Sequence, residues 1–404
     1  MNTPYPTDPD PVAAEEGRHG AIELGRHRRW RFAATCLLFG VISCLAFAQA
    51  GLRWQARRIE RSNQLDPGMI QYDRALGWRL VPEWTGTHRH YDYTARYHIN
   101  RRGLRGPAKS DADRGETTIA VLGDSFTFGF GVEDDETFVS RIGEQMGPDV
   151  RVRNFGVPGY STDQEALLLE RRVLHFRPTL VVIVVYLGND LVDNRRGFPM
   201  QAPRAKPFFT LGQNGLELAN TPVPQEARPV RNAQVDLARA ILGESGTVDA
   251  GGTPQEMPFT VWQRAAAAVG REPNYTEQIS DNQQASLDLF WALAGRMASA
   301  CAKQHVRLAF VLLPGRSTIE RPMSLSAQYQ RFVRDELMRE SGGRGLVFID
   351  AGAGLSEAAR APSYYPNDGH LTADGHRIVA EQLADFCLPL LAESDSAKAA
   401  WNRH

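Results

Sequence analysis

The sequence predicts an α/β protein with a doubly wound parallel sheet of five strands, helices on both faces, and one transmembrane helix ahead of it. Three observations carry this expectation. Short β-branched runs alternate with helical patterns between residues 118 and 391, the order that a parallel sheet with crossover helices requires. The run 179–186 (TLVVIVVY) is apolar, as a strand covered on both faces should be. A separate apolar stretch near the N-terminus is long enough to cross a hydrocarbon core.

In chain order, residues 1–17 (MNTPYPTDPDPVAAEEG) are rich in proline and acid and read as a disordered tail. Residues 32–52 (FAATCLLFGVISCLAFAQAGL) carry no charge; about 21 residues at helical rise span roughly 31 Å. Arg31 and Arg53 bracket the run, which argues against a buried core helix. Ala46-Phe47-Ala48 has the small-x-small form of a signal-peptide cleavage site, but the long polar stretch ahead of Phe32 favours a retained anchor. Arg18, Arg26, Arg28, Arg29 and Arg31 precede the span and Arg53, Arg57, Arg58 and Arg61 follow it. That count places residues 1–31 in the cytoplasm and the remainder outside it, on the periplasmic side of a single-pass membrane protein.

Residues 53–115 read as a linker and a β-rich lead-in, with Trp78, Leu80, Trp84, Tyr91, Tyr93, Tyr97 and Ile99 among Thr, Arg and His. Strands are expected at 118–122, 150–154, 179–186, 307–313 and 346–350. Helices are expected at 135–146, 161–176, 282–304, 324–340 and 372–391. The arrangement expected is flavodoxin-like. Ser161/Gln164 and Thr162/Glu165 both have capping-box spacing. The α/β domain covers 116–392 and is interrupted at about 191–281 by an insertion with a hairpin around Asn214-Gly215 and an irregular stretch at 221–258. Residues 393–404 read as a tail.

Composition sets outer bounds. In 404 residues, 42% are hydrophobic and 23% charged, which permits a packed core. Lys+Arg 46 against Asp+Glu 47 leaves a net charge of -1, which argues against a nucleic-acid partner. Four cysteines cannot make a disulfide scaffold; Cys36 and Cys44 fall in the apolar span, and whether Cys301 and Cys387 pair stays open. No phosphate-binding GxxxxGK[ST] loop occurs, and no cofactor or metal is expected.

Ligands of a doubly wound sheet bind outside the C-terminal strand ends, so the residues following each strand are the candidates for chemistry. They are Gly123-Asp124-Ser125, Asn154 to Ser161, Leu187 to Asp190, and Asn367 to Leu371. A serine hydroxyl needs a base to take its proton, and a carboxylate beyond the base to hold the imidazole tautomer. Ser125, His370 and Asp368 are the candidate trio. The backbone N–H groups of Ser125 and Gly159 and the side-chain amide of Asn189 are candidate oxyanion donors. His376 also follows Asp-Gly, but Thr372 as N-cap would put it inside a helix and leave His370 in the loop before it. Gly156 and Gly159 read as turn glycines with positive φ. His88 and His90, lacking a third ligand, read as surface residues rather than a metal site.

GDSFTFGFG (123–131), NFGVPGYS (154–161), YLGND (186–190) and DGHLTADGH (368–376) resemble, in order and position, the blocks of the SGNH/GDSL hydrolase family. The resemblance implies Ser125 as nucleophile, Gly159 and Asn189 as oxyanion partners, and His370 as base. Many members place the acid three residues before the histidine; that position here is Asn367, whereas Asp368 stands two before, a spacing found in related O-acetyltransferases. The lead-in, GWRLVP (77–82) and 100–106, resembles membrane-anchored members associated with bacterial exopolysaccharides. The implied function is a membrane-tethered serine esterase acting on small acyl groups, most simply acetyl, of an extracytoplasmic glycan. The alternatives are an O-acetyltransferase using the same residues on an exopolysaccharide, and a non-catalytic glycan-binding or assembly protein.

Overall fold

A computed structural model describes residues 11–106, 117–228, 281–357 and 362–401. The chain divides into two compact units, Met1–Ser62 and Asn63–His404. The first contains one helix, α1 (Pro11–Ser62). It starts inside the segment expected to be a disordered tail, with proline in the first turn where no intrahelical N–H is required. Its stretch Arg28–Ile59 is long and apolar enough to cross a membrane, a test that a signal sequence also passes. Phe32, Leu38, Phe39, Ile42, Leu45 and Phe47 are all exposed along it.

The second unit opens with the lead-in. Strands β1 (Gln64–Leu65), β4 (Thr85–Arg89) and β5 (Thr94–His98) form an antiparallel sheet, and β2 (Ile70–Asp73) pairs with β3 (Gly77–Leu80). The main sheet follows: β6 (Thr117–Gly123), β7 (Val150–Gly156) and β8 (Leu180–Tyr186), all parallel. The hairpin β9 (Phe208–Gly212) and β10 (Gly215–Ala219) turns at Gln213-Asn214, with Gly215 at φ +99°. Strands β11 (Arg307–Leu313) and β12 (Val347–Asp350) complete the parallel sheet, whose order is β12-β11-β8-β6-β7. Renumbered within the sheet this is the 2-1-3-4-5 order of flavodoxin-like folds, with its switch point between β6 and β8.

Period-two side chains divide the core. Val181, Ile183 and Val185 of β8 and Phe310 and Leu312 of β11 face one layer. That layer holds α4 (Thr162–Arg171), α6 (Asp281–Ala302) and α8 (Leu325–Ser341), together with Trp78 and Tyr97 of the lead-in. Leu180, Val182 and Val184 face the other, against α3 (Phe138–Met146) and α10 (Ala373–Trp401). Covering both faces of β8 with aliphatic side chains stabilises the centre of the sheet at about 1.5–3 kcal/mol per fully buried residue. Short helices α2 (Ser125–Phe128), α5 (Asp190–Asp193), α7 (Ser317–Glu320) and α9 (Gly352–Glu357) follow strand ends.

Several local expectations are corrected. The pattern read as one helix over 161–176 breaks at Arg172, and 173–176 form a 3-10 turn. Neither capping box forms: the Ser161 hydroxyl donates to Asp163 and the Gln164 amide to the Leu76 carbonyl. The last helix runs on to Trp401, through part of the expected tail. Residues 229–258 of the expected irregular stretch lie outside the described residues. Cys301 and Cys387 are both free and buried, and burial pushes each thiol up to about 12.

Candidate active site

The switch point sets the nucleophile's position. Asp124 caps α2, its carboxylate accepting the Phe126 N–H at 2.8 Å, so the chain turns sharply out of β6 and Ser125 becomes the first helical residue. An N–H at that position has no acceptor within its own helix. Gly129, left-handed at φ +88°, ends the helix after one turn. The turn must pass close to β7. A Cβ on Gly156 would come within 2.3 Å of the Phe128 nitrogen, and one on Gly123 within 2.1 Å of the Thr127 hydroxyl. Gly156 is therefore required by close approach, and it is not among the positive-φ glycines; Gly159, at φ +80°, is.

The loop before α10 presents the base. The Tyr365 N–H donates to the His370 carbonyl at 2.8 Å and the Gly369 N–H to the Tyr365 carbonyl at 3.0 Å, closing a tight turn. Gly369 at φ +89° folds the chain back between its neighbours. The two-residue spacing thereby brings the Asp368 carboxylate against the His370 ring. His370 Nδ1 is hydrogen-bonded to Asp368 Oδ1, and the His370 N–H donates to the same oxygen at 3.1 Å. His370 Nε2 lies 2.8 Å from Ser125 Oγ. With Nδ1 donating to the carboxylate, Nε2 is the acceptor for the serine proton. Phe126 and Phe130 flank the ring, at centroid distances of 4.7 and 5.4 Å.

Electrostatics follow from this packing. Burial alone raises the Asp368 carboxyl, but the His370 charge and the hydrogen bonds from His370 outweigh it and hold it below the usual carboxylate range. Burial disfavours a charged His370, yet the Asp368 charge and its hydrogen bond raise the imidazole above its ordinary value, with help from Asp124. Burial pushes Asp124 itself up to about 6 despite its hydrogen bond from Phe126. Behind the strand ends, burial and mutual repulsion with Asp124 raise Glu165 and Asp190 well above ordinary carboxyls.

The remaining predicted residues are placed as follows. Gly159 lies in the loop after β7; Trp78 Nε1 donates to the neighbouring Pro158 carbonyl at 3.0 Å, and the Tyr160 hydroxyl donates to the Trp78 carbonyl. Asn189 is buried, and its amide donates one hydrogen to Asp193 at 2.7 Å. That bond fixes which side of the amide is nitrogen and leaves one N–H. Asn367 faces away from His370: its amide donates to Asp92 at 2.6 Å. His376 lies inside α10, its Nδ1 accepts the Phe138 N–H, and burial lowers it to about 3, so it stays neutral and apart from Ser125.

His88 and His90 correct an expectation. Both side chains are buried, and His88 bonds Asn63 and Tyr97 through its two ring nitrogens. Sequence reasoning also missed Asp92 and Tyr93 of the lead-in, which contact the 367–368 turn across some 275 positions; only the local density of aromatic and polar residues at 88–97 marks them. Among the described residues no cluster of His, Cys, Asp or Glu has the arrangement of a metal centre. A separate cavity of about 370 Å³ lies beside the Gly156–Tyr160 loop, lined by Arg79, Arg171 and Arg172, and does not include Ser125.

The GDSL-like lipase/acylhydrolase family model matches residues 121–378. The chain belongs to this family, and it is an ester hydrolase. No curated protein matches it. Among solved structures it is similar to a lipolytic protein of the G-D-S-L family from Desulfitobacterium hafniense DCB-2, at 13% identity over 67% of this chain and 99% of that one, TM-score 0.36. It is also similar to a carbohydrate acetylesterase from Sinorhizobium meliloti, at 10% identity over 68% and 100%, TM-score 0.35. A psychrotrophic esterase from Pseudoalteromonas sp. matches at 11% identity over 69% and 100%, TM-score 0.36.

Proposed function

We propose that the protein is a membrane-tethered serine esterase that removes small acyl groups, acetyl above all, from an extracytoplasmic glycan through an acyl-serine intermediate. The single observation that carries the chemistry is the continuous hydrogen-bonded run from Ser125 through His370 to Asp368. In this reading Ser125 Oγ attacks the ester carbonyl while His370 Nε2 takes its proton. The Ser125 and Gly159 N–H groups and the free N–H of Asn189 receive the oxyanion. His370 then protonates the leaving sugar oxygen, and the acyl group stays on Ser125. Water, deprotonated by the same imidazole, attacks the acyl-serine; collapse returns the serine and releases the acid. Asp368 remains ionised throughout and offsets the imidazolium charge.

The tether reading rests on the length and apolarity of the α1 segment. It assigns residues 1–31 to the cytoplasm, 32–52 to the anchor, 53–115 to the lead-in, and 116–392 to a catalytic domain facing the periplasm, with a tail after it. Its check is fractionation with a reporter fused after His404: activity of that reporter only in the cytoplasm would reverse the orientation and remove extracytoplasmic glycans as substrates.

The test of activity is incubation of the purified protein with p-nitrophenyl acetate, with and without an acceptor oligosaccharide. Release of acetate in both cases is the expected result. Acetate appearing on the oligosaccharide instead would establish a transferase, and no release in either case a binding protein.

A further inference from the structure

We infer that Tyr93, carried by the lead-in hairpin, is a positioning residue for the acid: its hydroxyl holds one oxygen of Asp368 so that the other is presented to His370. The inference rests on the Ser125–His370–Asp368 reading above. It makes the lead-in, which lies outside the matched family region, part of the reacting assembly.

The geometry is specific to each oxygen. Tyr93 Oη donates to Asp368 Oδ2 at 3.1 Å, whereas Oδ1 takes the His370 ring and backbone. A carboxylate on a two-residue loop arm can rotate about its χ angles; a donor on each side removes that freedom. Tyr93 is itself immobilised. The turn joining β4 to β5 is closed by reciprocal backbone bonds between His90 and Tyr93, at 2.8 and 3.3 Å. The Tyr93 ring stacks on His90 with centroids 5.0 Å apart and leans on Tyr365 at 4.9 Å. Its neighbour Asp92 accepts the Asn367 and Asp368 backbone N–H groups, each at 2.8 Å, which fixes the loop to the same hairpin. Burial and the Asp368 charge raise the Tyr93 phenol far above its ordinary value, so it stays a donor.

Removing the hydroxyl has a signed consequence. Without the hydroxyl the carboxylate is free to rotate away from His370, the charge and hydrogen bond that raise the imidazole weaken, and the imidazole takes up its proton at lower pH. The other groups facing the pair are Asp124 from the strand–helix turn, His88, His90, Asp92 and Tyr97 from the lead-in, and Tyr365 and His376 from the elements flanking His370. Burial lowers His88 to about 4 and His376 to about 3, so both are neutral, and both tyrosines are raised. Tyr93→Phe keeps all of these groups in place and removes, besides the bond to Asp368, only a 3.5 Å contact between the hydroxyl and Nδ1 of the neutral His88.

The experiment is a pH–rate series on the full chain with p-nitrophenyl acetate for wild type, Tyr93→Phe, Asp368→Asn, the double variant and Ser125→Ala, with Tm measured on each. Tyr93→Phe keeps the ring packed, and the expected result is a kcat lower by about 10-fold or more, the size of a hydrogen bond to a charged group. KM should stay within about twofold, and the acid limb of kcat/KM should move to lower pH. In the Asp368→Asn background the same change should cost little, because its effect passes through the carboxylate. Asp92→Asn, which withdraws one carboxylate oxygen from the 367–368 turn, should also lower kcat; it serves as the second variant if Tyr93→Phe loses its fold. Wild-type kcat and an unmoved limb in Tyr93→Phe, or losses that simply add to those of Asp368→Asn, would overturn the inference while an inactive Ser125→Ala left the triad standing. An active Ser125→Ala would overturn both.

Discussion

Replacing Asp368 with asparagine isolates the charge of the acid from its shape. In the wild-type arrangement Asp368 Oδ1 faces His370 Nδ1 and Oδ2 faces the Tyr93 hydroxyl. An asparagine has only one oxygen to satisfy the Tyr93 hydroxyl on one side and the His370 ring and backbone N–H on the other. If its oxygen stays with Tyr93, its NH₂ faces Nδ1 and forces the imidazole into the tautomer with hydrogen on Nε2, which cannot accept the Ser125 proton. If the amide turns over, the NH₂ faces the Tyr93 oxygen and the imidazolium still lacks its counter-charge. In the well-characterised serine triads this change lowers kcat by about four orders of magnitude. At about 1.36 kcal/mol per decade that is about 5.4 kcal/mol of transition-state stabilisation. Asn367→Ala removes only an exposed hydrogen bond to Asp92 and should reduce turnover a few-fold at most. The assay is initial-rate hydrolysis of p-nitrophenyl acetate between pH 5 and 9, with Tm confirming that each variant folds. An Asp368→Asn enzyme within about tenfold of wild type, or one less impaired than Asn367→Ala, would rule out Asp368 as the acid of the triad.

Two further outcomes follow from the same packing. Asn189→Ala should lower kcat by about 100-fold or more, the scale of one lost oxyanion donor; because it also strips Asp193 of a partner, Tm should fall, and unchanged turnover in the folded variant would leave Asn189 with a purely structural role. Burial and neighbouring carboxylates raise Glu165, and among the described residues neither of its oxygens has a hydrogen-bond partner. A carboxyl raised in the folded state favours folding fully below its unfolded pKa of 4.5, and that contribution is lost as pH rises through the folded pKa. Glu165→Gln should therefore raise Tm at neutral and alkaline pH, with the gain vanishing near pH 4; a gain that was independent of pH would contradict this.

Much of the scaffold is local and therefore readable. The β8 run is apolar because both faces are covered, and α3, α6, α8 and α10 form close to the positions their periodicity marks. The strand-end loops carrying Ser125, Gly159, Asn189 and His370 follow from topology, since a parallel sheet collects its C-terminal ends on one edge. The unread parts depend on distant partners. Ser161 and Gln164 satisfy the capping spacing, yet Asp163 and the Leu76 carbonyl compete for them successfully. Asp163 in turn pairs with Lys206 from the insertion, a fully buried ion pair for which nothing in either segment gives a sign. His88 and His90 look like polar positions on an exposed strand until Phe130, Tyr365 and the 367–368 turn cover the hairpin. The choice between Asn367 and Asp368 likewise turns on Asp92, which engages the first and leaves the second to His370.

Activation of Ser125 is measured directly by covalent labelling with a fluorophosphonate, which reacts with a serine activated as a nucleophile. The wild-type protein should label stoichiometrically at Ser125, located by peptide mass spectrometry, and Ser125→Ala, at the same Tm, should not label. Asp368→Asn should label far more slowly. Labelling that persists in Ser125→Ala, or that maps to any other residue, would exclude Ser125 as the nucleophile.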